Sequence, residues 1–362
     1  MRYAGRISAG GVEAMEAITK AAIRFAPVAT ALALGAVGAM LAGFVGLPAP
    51  LILGPAILLT FGALAGLRLE IPLALRDGVF TVIGIVMGSG VTPQVLEAAR
   101  QWPVSFLALA VSLVVILSAC TGVLVRGFAY SRRTAILAAS PGHLSYVLGL
   151  GSAAGGDLMT ISVIQSIRLL SLTLLVPPLA AMAGFSLNAP VVANASMAGG
   201  TTAALIALSL AGGYLLTRLK VPAGYLLGGM LVSTLAHLTG SVEGSVPGWI
   251  AAPCFIVMGT LIGTRFSGVS LQKLRNSLLA GLASTLVAAL ASAGIALVAA
   301  WLTGLSPALM LISFAPGGVE TMAALALLMH LDPAFVAAHH VFRLLLLTLL
   351  VPAWLGLAGK EA

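Results

Sequence analysis

Long apolar stretches dominate this chain, and polar residues fall between them instead of alternating with them. Residues 25–67, 169–217 and 276–319 contain no Asp, Glu, Lys or Arg. Each stretch exceeds the ~20 apolar residues with which a helix crosses a bilayer. A transmembrane β-barrel would instead show ~10-residue segments of alternating polarity. The pattern therefore predicts an all-α polytopic membrane protein.

The same series of apolar spans occurs twice. In the first series the spans cover about 28–45, 48–67, 78–92, 103–125, 134–155 and 158–182. In the second they cover about 202–217, 222–239, 247–264, 277–300, 305–330 and 333–356. We therefore divide the chain into an N-terminal amphipathic segment, a first membrane repeat, a connecting loop and a second membrane repeat, at 1–26, 27–183, 184–200 and 201–358.

Chemically distinctive residues repeat in register and indicate an internal duplication. At an offset of 175 residues, Pro141-Gly142 returns as Pro316-Gly317, Asp157 as Asp332, and Arg168 as Arg343. Between 157–177 and 332–352, 10 of 21 aligned positions are identical. Leucine is common enough to repeat by chance, but the aligned Asp, Arg and Pro are not.

Charge predicts the orientation of the two halves. Only 8% of the residues are charged, and the formal net charge is +8. Basic residues collect on the cytoplasmic side of membrane proteins. We take the N-terminus to be cytoplasmic. If each half crosses the membrane an odd number of times, fifteen basic residues lie inside and only Arg100 lies outside. If each half crosses an even number of times, ten basic residues lie inside and six lie outside. We therefore predict two inverted-topology repeats, each with about five transmembrane helices and one segment that does not cross.

That segment is the fifth of each half, because each contains Pro-Gly at its middle, at Pro141-Gly142 and Pro316-Gly317. Proline removes a backbone donor and glycine disfavours a helix, so the helix should break there. The broken segment either turns back as a re-entrant hairpin or crosses discontinuously. Irregular backbone at membrane depth needs protein or a water-filled cavity around it. The substrate-binding candidates at the two breaks are Ser140, Pro141, Gly142, His143, Ser145, Pro316, Gly317 and Gly318.

Two arginines add charge near the middle of the membrane. Arg168 and Arg343 each follow an aspartate by eleven residues on one helical face, which is a rise of about 16 Å. One role open to them is attraction of an anionic substrate. The other is structural, in which each arginine binds the backbone carbonyls freed at the opposite Pro-Gly break. Intramembrane acids and histidines are candidate proton or Na⁺ sites. The ion-coupling candidates are Asp157, Glu320, Asp332 and His339.

These motifs resemble one known family. Ser140-Pro141-Gly142-His143, followed by Asp157 and Arg168-Leu169-Leu170, and the matching run from Ala315 to Arg343-Leu344-Leu345, resemble the membrane AbrB-duplication family of bacteria. The resemblance covers nearly the whole chain after about residue 28, and His143 departs from it where the family often has a second glycine. The family also looks distantly like the cation–proton antiporter and anion-transporter superfamily. That likeness implies an elevator-type carrier with a mobile core at 103–182 and 277–356 and a scaffold that makes homodimer contacts.

Together, the residues and the resemblance predict a secondary active transporter for a small organic anion. It would work by alternating access, coupled to H⁺ or Na⁺, with export as one possible direction. The resemblance places it in the bacterial inner membrane, and the charge distribution favours a cytoplasmic N-terminus. The alternatives are a membrane-embedded regulator or a channel. A membrane monooxygenase is disfavoured because it needs clustered metal ligands. Of the five histidines only His339 and His340 are close in sequence, and adjacent histidines on a helix point about 100° apart. We expect no enzyme activity, no metal or other cofactor, and no nucleic-acid partner.

Overall fold

The fold consists of helices throughout the part of the chain that the computed structural model describes, which is residues 4–90, 102–142, 144–185, 187 and 196–359. Fourteen helices lie in these ranges, and no strand does. The first seven are α1 (Ala4–Val45), α2 (Pro50–Leu64), α3 (Leu73–Gly88), α4 (Trp102–Phe128), α5 (Arg132–Ala139), α6 (Leu144–Ala154) and α7 (Leu158–Met182). The other seven are α8 (Gly199–Arg218), α9 (Gly224–Leu238), α10 (Gly248–Thr264), α11 (Leu271–Thr303), α12 (Pro307–Phe314), α13 (Val319–Leu328) and α14 (Pro333–Gly359).

Six of these helices are long and apolar enough to cross a membrane, and they divide evenly between the halves. They are α1 from Phe25 onward, α4, α7, α8, α11 and α14 up to Gly356. Large apolar side chains also lie exposed on their surfaces, including Phe44 at 93% and Trp301 at 81%. Such exposure is costly in water and favourable against lipid tails. The predicted all-α, multi-pass membrane fold is therefore confirmed, while the inverted orientation of the halves stays a prediction.

The fifth span of each half is two short helices joined by an extended break. Helix α5 ends at Ala139, and α12 ends at Phe314. The residues that follow, Ser140 and Ala315, both precede a proline and have extended backbone, with ψ angles of 119° and 130°. Proline disfavours helical geometry in its predecessor, so each helix stops there. The Pro-Gly sequence thus accounts for the local geometry of both breaks.

The helices form two groups, each drawn from both halves. One group contains α1, α2, α3, α8, α9 and α10, and the other contains the remaining eight helices. In the first group, α3 packs on α9 and α10 packs on α2, so the halves interlock. Glycines make this possible: a Cβ at Gly84 would collide with the backbone of Leu226, and one at Gly259 with that of Ile52. In the second group, α11 packs against both α4 and α7.

The ends of the predicted repeats are less well defined. Helix α1 runs without interruption from Ala4 to Val45, through the boundary expected at residue 26. Most of the predicted connecting loop, 184–200, lies outside the described residues, as does Arg100. Ser196 and Ser245 form an isolated backbone bridge where the described chain resumes. Helix α8, the first helix of the predicted second repeat, begins at Gly199.

Candidate functional site

Arg168 holds the break of its own half together. Its Nη1 donates to the carbonyl oxygens of Ala138 at 3.2 Å and Ala139 at 3.3 Å, and its Nη2 donates to that of Ser140 at 2.9 Å. These are carbonyls at the C-terminus of α5, which lack partners within that helix. The negative end of the helix dipole also favours a cation there. The Arg168 guanidinium therefore supplies hydrogen-bond donors to the carbonyls left unpaired where the proline ends the helix. This role is structural.

Arg343 does the same in the second half. Its Nη1 donates to the carbonyl oxygen of Ala315 at 2.7 Å, and its Nη2 donates to that of Gly317 at 2.6 Å. Both arginines are almost fully buried, at 5% and 2% exposed. The hypothesis that each arginine binds the opposite break is wrong, because each contacts the break beside its own helix. Among the described residues, no carboxylate forms an ion pair with either guanidinium.

The residue three positions before each arginine extends the same pattern. Gln165 Nε2 donates to the carbonyl oxygen of Leu137 at 3.0 Å. At the equivalent position, His340 Nε2 lies 3.1 Å from the carbonyl oxygen of Ile312, which is the counterpart of Leu137. Different side chains thus contact equivalent carbonyls. The duplication preserves the support of each break although the sequences differ.

A cavity of about 450 Å³ lies between the two breaks. Pockets of this volume accommodate small molecules. Both arginines line the cavity, together with residues from both groups of helices, such as Ala223 and Leu261 from one group and Leu169 and Leu344 from the other. The cavity therefore brings the two Pro-Gly breaks to a single site at the boundary between the groups.

Three charged residues that the sequence analysis did not select also line this cavity. They are Glu70, Arg76 and Arg265. Arg76 forms an ion pair with Asp77 at 2.7 Å, while Arg265 has an exposed side chain. Four arginines and two glutamates thus line the cavity. Because Asp77 neutralises Arg76 from just outside the lining, the remaining formal charge is plus one. Sequence reasoning treated Arg76 and Arg265 only as topology signals, because nothing local shows that they reach the breaks.

Seven of the ten binding candidates line the cavity. Ser140 is fully buried behind the lining, where its carbonyl accepts from Arg168. Ser145 lies in the first turn of α6, and His143 lies outside the described residues. The candidates that line the cavity are Pro141, Gly142, Arg168, Pro316, Gly317, Gly318, Arg343 and the ion-coupling candidate Glu320.

Asp157 lies away from the cavity, at the N-terminus of α7. Its carboxylate accepts a hydrogen bond from the backbone N–H of Thr160 at 3.1 Å. It also forms an ion pair with Lys273 at 3.0 Å. Partial burial would raise the pKa of this carboxyl, but the bonds from Thr160 and Lys273 outweigh burial and lower the pKa to about 2. Asp157 therefore caps α7 and ties it to the start of α11.

This ion pair predicts a pH-dependent contribution to stability. Because the folded-state pKa is depressed, the contribution is complete above the ordinary pKa of 3.8 and is lost as the pH falls through about 2. Asp157→Asn keeps a capping side chain but removes the charge. Its melting temperature in detergent should lie below that of the wild type at neutral pH, and the gap should narrow below about pH 4. Lys273→Met should show the same trend, and a gap independent of pH would contradict the assignment.

Asp332 and His339 also lie outside the cavity lining. Asp332 accepts hydrogen bonds from the backbone N–H groups of Ala334 and Phe335, at 2.8 and 3.1 Å. His339 is fully buried, and its Nε2 lies 2.7 Å from Ser105 Oγ. Its ring stacks on Phe335 with the centroids 3.9 Å apart. The structure therefore separates Asp157, Asp332 and His339 from Glu320, with which they were grouped as ion-coupling candidates.

The fold and the site define a class: a multi-pass helical membrane protein with one charged cavity between two paired helix breaks. The chain belongs to the AbrB family, because a sequence model of that family, described as "Transition state regulatory protein AbrB", matches residues 51–358. It is 25% identical over 327 residues to the Escherichia coli K12 protein named "Putative regulator AbrB", covering 85% of this chain and 89% of that protein. It is also 25% identical over 293 residues to "Uncharacterized protein YhjN" of Bacillus subtilis strain 168, covering 75% of each.

Proposed function

We propose that this protein is a secondary active transporter for a small organic anion. The observation that carries the proposal is the cavity between the two breaks, which four arginines line and whose net charge is positive even with Arg76 paired to Asp77. Broken helices around a central site are typical of secondary transporters. A cavity walled by buried arginines lowers the free energy of an anion inside it, because the low dielectric strengthens the attraction.

The arginines of the cavity can attract an anion in two ways. Arg168 and Arg343 donate from their terminal nitrogens to neutral carbonyls, and these bonds do not cancel the charge of either guanidinium. Their structural role and an attraction for anions are therefore compatible. Arg265 is exposed and is the arginine best placed to contact a ligand directly.

The position of the cavity supports alternating access. It lies between the helix group α1–α3 with α8–α10 and the group α4–α7 with α11–α14. A displacement of one group along the other would carry the breaks, and an anion bound to them, across the bilayer. We propose that the second group is the mobile core, and that the protein acts as a homodimer in the bacterial inner membrane with its N-terminus in the cytoplasm. H⁺ or Na⁺ would supply the coupling.

Transport by purified protein in proteoliposomes tests this function. A panel of small organic anions is offered under imposed pH and Na⁺ gradients, and we expect at least one to move. Arg265→Gln should weaken the apparent affinity about tenfold, since a hydrogen bond to a charged group contributes about 1.5–3 kcal/mol. Arg126→Gln, at the end of α4 and outside the cavity lining, is the matched control. If folded protein moves no solute under any gradient, the transport proposal fails and a membrane regulator becomes the better account.

A further inference from the structure

One side of helix α11 is exposed along the first half of the helix. Its side chains recur every three or four residues, which places them on a single face. They are Gln272, Arg275, Leu279, Leu282, Leu286 and Leu290. The opposite side packs on α4 and α7 and is buried at Ala280, Ser284 and Ala288. The exposed side, which we call the outer face of α11, thus begins with two polar residues and continues as a row of leucines.

The length of α11 fixes the depth of this face in a bilayer. The helix is apolar and long enough to cross a membrane. Trp301, an exposed side chain near its other end, follows Arg275 by 26 residues, which is a rise of about 39 Å. A bilayer with its headgroups is about 40–45 Å thick, and tryptophans are enriched at its interfaces. Arg275 therefore lies at the depth of the lipid headgroups on one membrane surface.

The row of leucines has the length of one leaflet. From Leu279 to Leu290 the helix rises about 16 Å. Half of the hydrocarbon core is about 15 Å, so the row covers the depth that an acyl chain fills. Exposed leucines are favourable against such a chain and costly against water. A lipid whose headgroup lies at Arg275 can therefore place one acyl chain along the whole row.

The charge of Arg275 distinguishes it from its nearest basic neighbour on the helix. Lys273 lies on the other side of α11, where it forms an ion pair with Asp157 at 3.0 Å. Arg275 is exposed, and no acidic residue pairs with it in the described part of the chain. Its positive charge is therefore available at the depth where anionic lipids carry a negative charge.

We propose that the outer face of α11 binds an anionic phospholipid. Arg275 pairs with the lipid phosphate, the amide of Gln272 donates a hydrogen bond to the headgroup, and one acyl chain lies along the leucines. A zwitterionic headgroup carries its own cation beside the phosphate, so it gains less from Arg275. The proposal is independent of transport, because the outer face of α11 lies apart from the cavity lining.

Native mass spectrometry of the purified full-length protein in a neutral detergent measures this binding. Dioleoyl-phosphatidylglycerol and dioleoyl-phosphatidylcholine have the same acyl chains and differ in net charge. We expect the first phosphatidylglycerol to bind about fivefold more tightly than phosphatidylcholine, the fold-change that corresponds to about 1 kcal/mol for one basic residue at an anionic surface. Arg275→Gln should remove this preference, whereas Arg275→Lys, which keeps the charge, should preserve it.

Two comparisons make the test specific. Lys220→Gln removes the same charge from an exposed position just beyond α8, in the other helix group, and should keep the preference. Glycerophosphoglycerol, which is the headgroup without acyl chains, should bind far more weakly than the intact lipid because it cannot contact the leucines. The melting temperature of each variant should equal that of the wild type, since the replaced side chains are exposed.

Four outcomes would overturn the lipid site. Phosphatidylglycerol could bind no more tightly than phosphatidylcholine. Lys220→Gln and Arg275→Gln could lose the preference equally, which would indicate general attraction to the net charge of the protein. Arg275→Lys could lose it as completely as Arg275→Gln, so that charge would not be its cause. Glycerophosphoglycerol could bind as tightly as the lipid, and the site would then be one for soluble anions.

Discussion

Arg343→Ala is expected to lower the free energy of unfolding by about 3–5 kcal/mol. One buried carbonyl oxygen is left without a donor, which costs about 1–3 kcal/mol, and a second loses a charge-assisted hydrogen bond of about 1.5–3 kcal/mol. The oxygens belong to Ala315 and Gly317, on either side of Pro316. The carbonyl of Ala315 keeps a bond from the backbone N–H of Gly317 at 2.8 Å, whereas that of Gly317 has no other donor among the described residues. We expect the variant to melt far below the wild type and to lose the cavity.

Thermal melting of the detergent-purified protein measures this effect. Arg343→Lys should recover part of the loss, since an ammonium group keeps the charge but cannot reach both carbonyls with a planar fork. Leu345→Ala, which shortens an exposed side chain two residues further along α14, is the matched control. Arg168→Ala should lower the melting temperature by a similar amount, because Arg168 donates to the carbonyls of the first break as Arg343 does to those of the second. If Arg343→Ala melts at the same temperature as Leu345→Ala, the hydrogen bonds from Arg343 to the break do not stabilise the fold.

Replacing Glu320 with glutamine is expected to abolish gradient-driven accumulation while leaving substrate exchange measurable. Glu320 is the ion-coupling candidate that lines the cavity, and it lies in the first turn of α13. Glutamine keeps the shape of the side chain but cannot bind a proton or offer a charged ligand to Na⁺. If residue 320 cannot bind the coupling ion, an ion gradient cannot favour the substrate-bound state of the protein over the empty state.

Proteoliposomes separate the two activities. Accumulation is measured with an imposed pH or Na⁺ gradient, and exchange is measured with substrate on both sides and no gradient. Glu70→Gln provides the control, because Glu70 lines the same cavity but precedes α3 in the other helix group. It should retain accumulation. Accumulation that survives in Glu320→Gln would show that coupling occurs elsewhere.

The repeating local features of this protein could be predicted from its sequence. The long apolar stretches gave the spanning helices, and the Pro-Gly pairs gave the breaks, because both depend on interactions within a few residues. The register of the duplication also placed Arg168 and Arg343 at equivalent sites. What could not be predicted was which carbonyls each arginine contacts, because that depends on how α7 packs on α5 and how α14 packs on α12 and α13.

The charged wall of the cavity was also beyond prediction. Arg265 follows the end of α10, and Glu70 lies in the segment that leads into α3. Such positions are ordinary for charged residues that flank apolar helices, so their sequence context favours a topological role. Only the packing of the two helix groups brings them to the breaks. Asp157 shows the converse, since its place in the repeated motif suggested ion coupling, whereas its contacts are those of a helix cap.

The glycine contacts between the halves constrain the order in which the protein can be assembled. Gly84 on α3 has its partner backbone at Leu226 on α9, about 140 residues later in the chain. At synthesis rates of about 5–20 residues per second, α3 waits on the order of ten to thirty seconds for that partner. The groove of α2 around Ile52, which receives Gly259, waits longer. During this interval the newly inserted first half presents helix surfaces shaped only for a segment not yet made. We therefore expect that neither half would fold on its own.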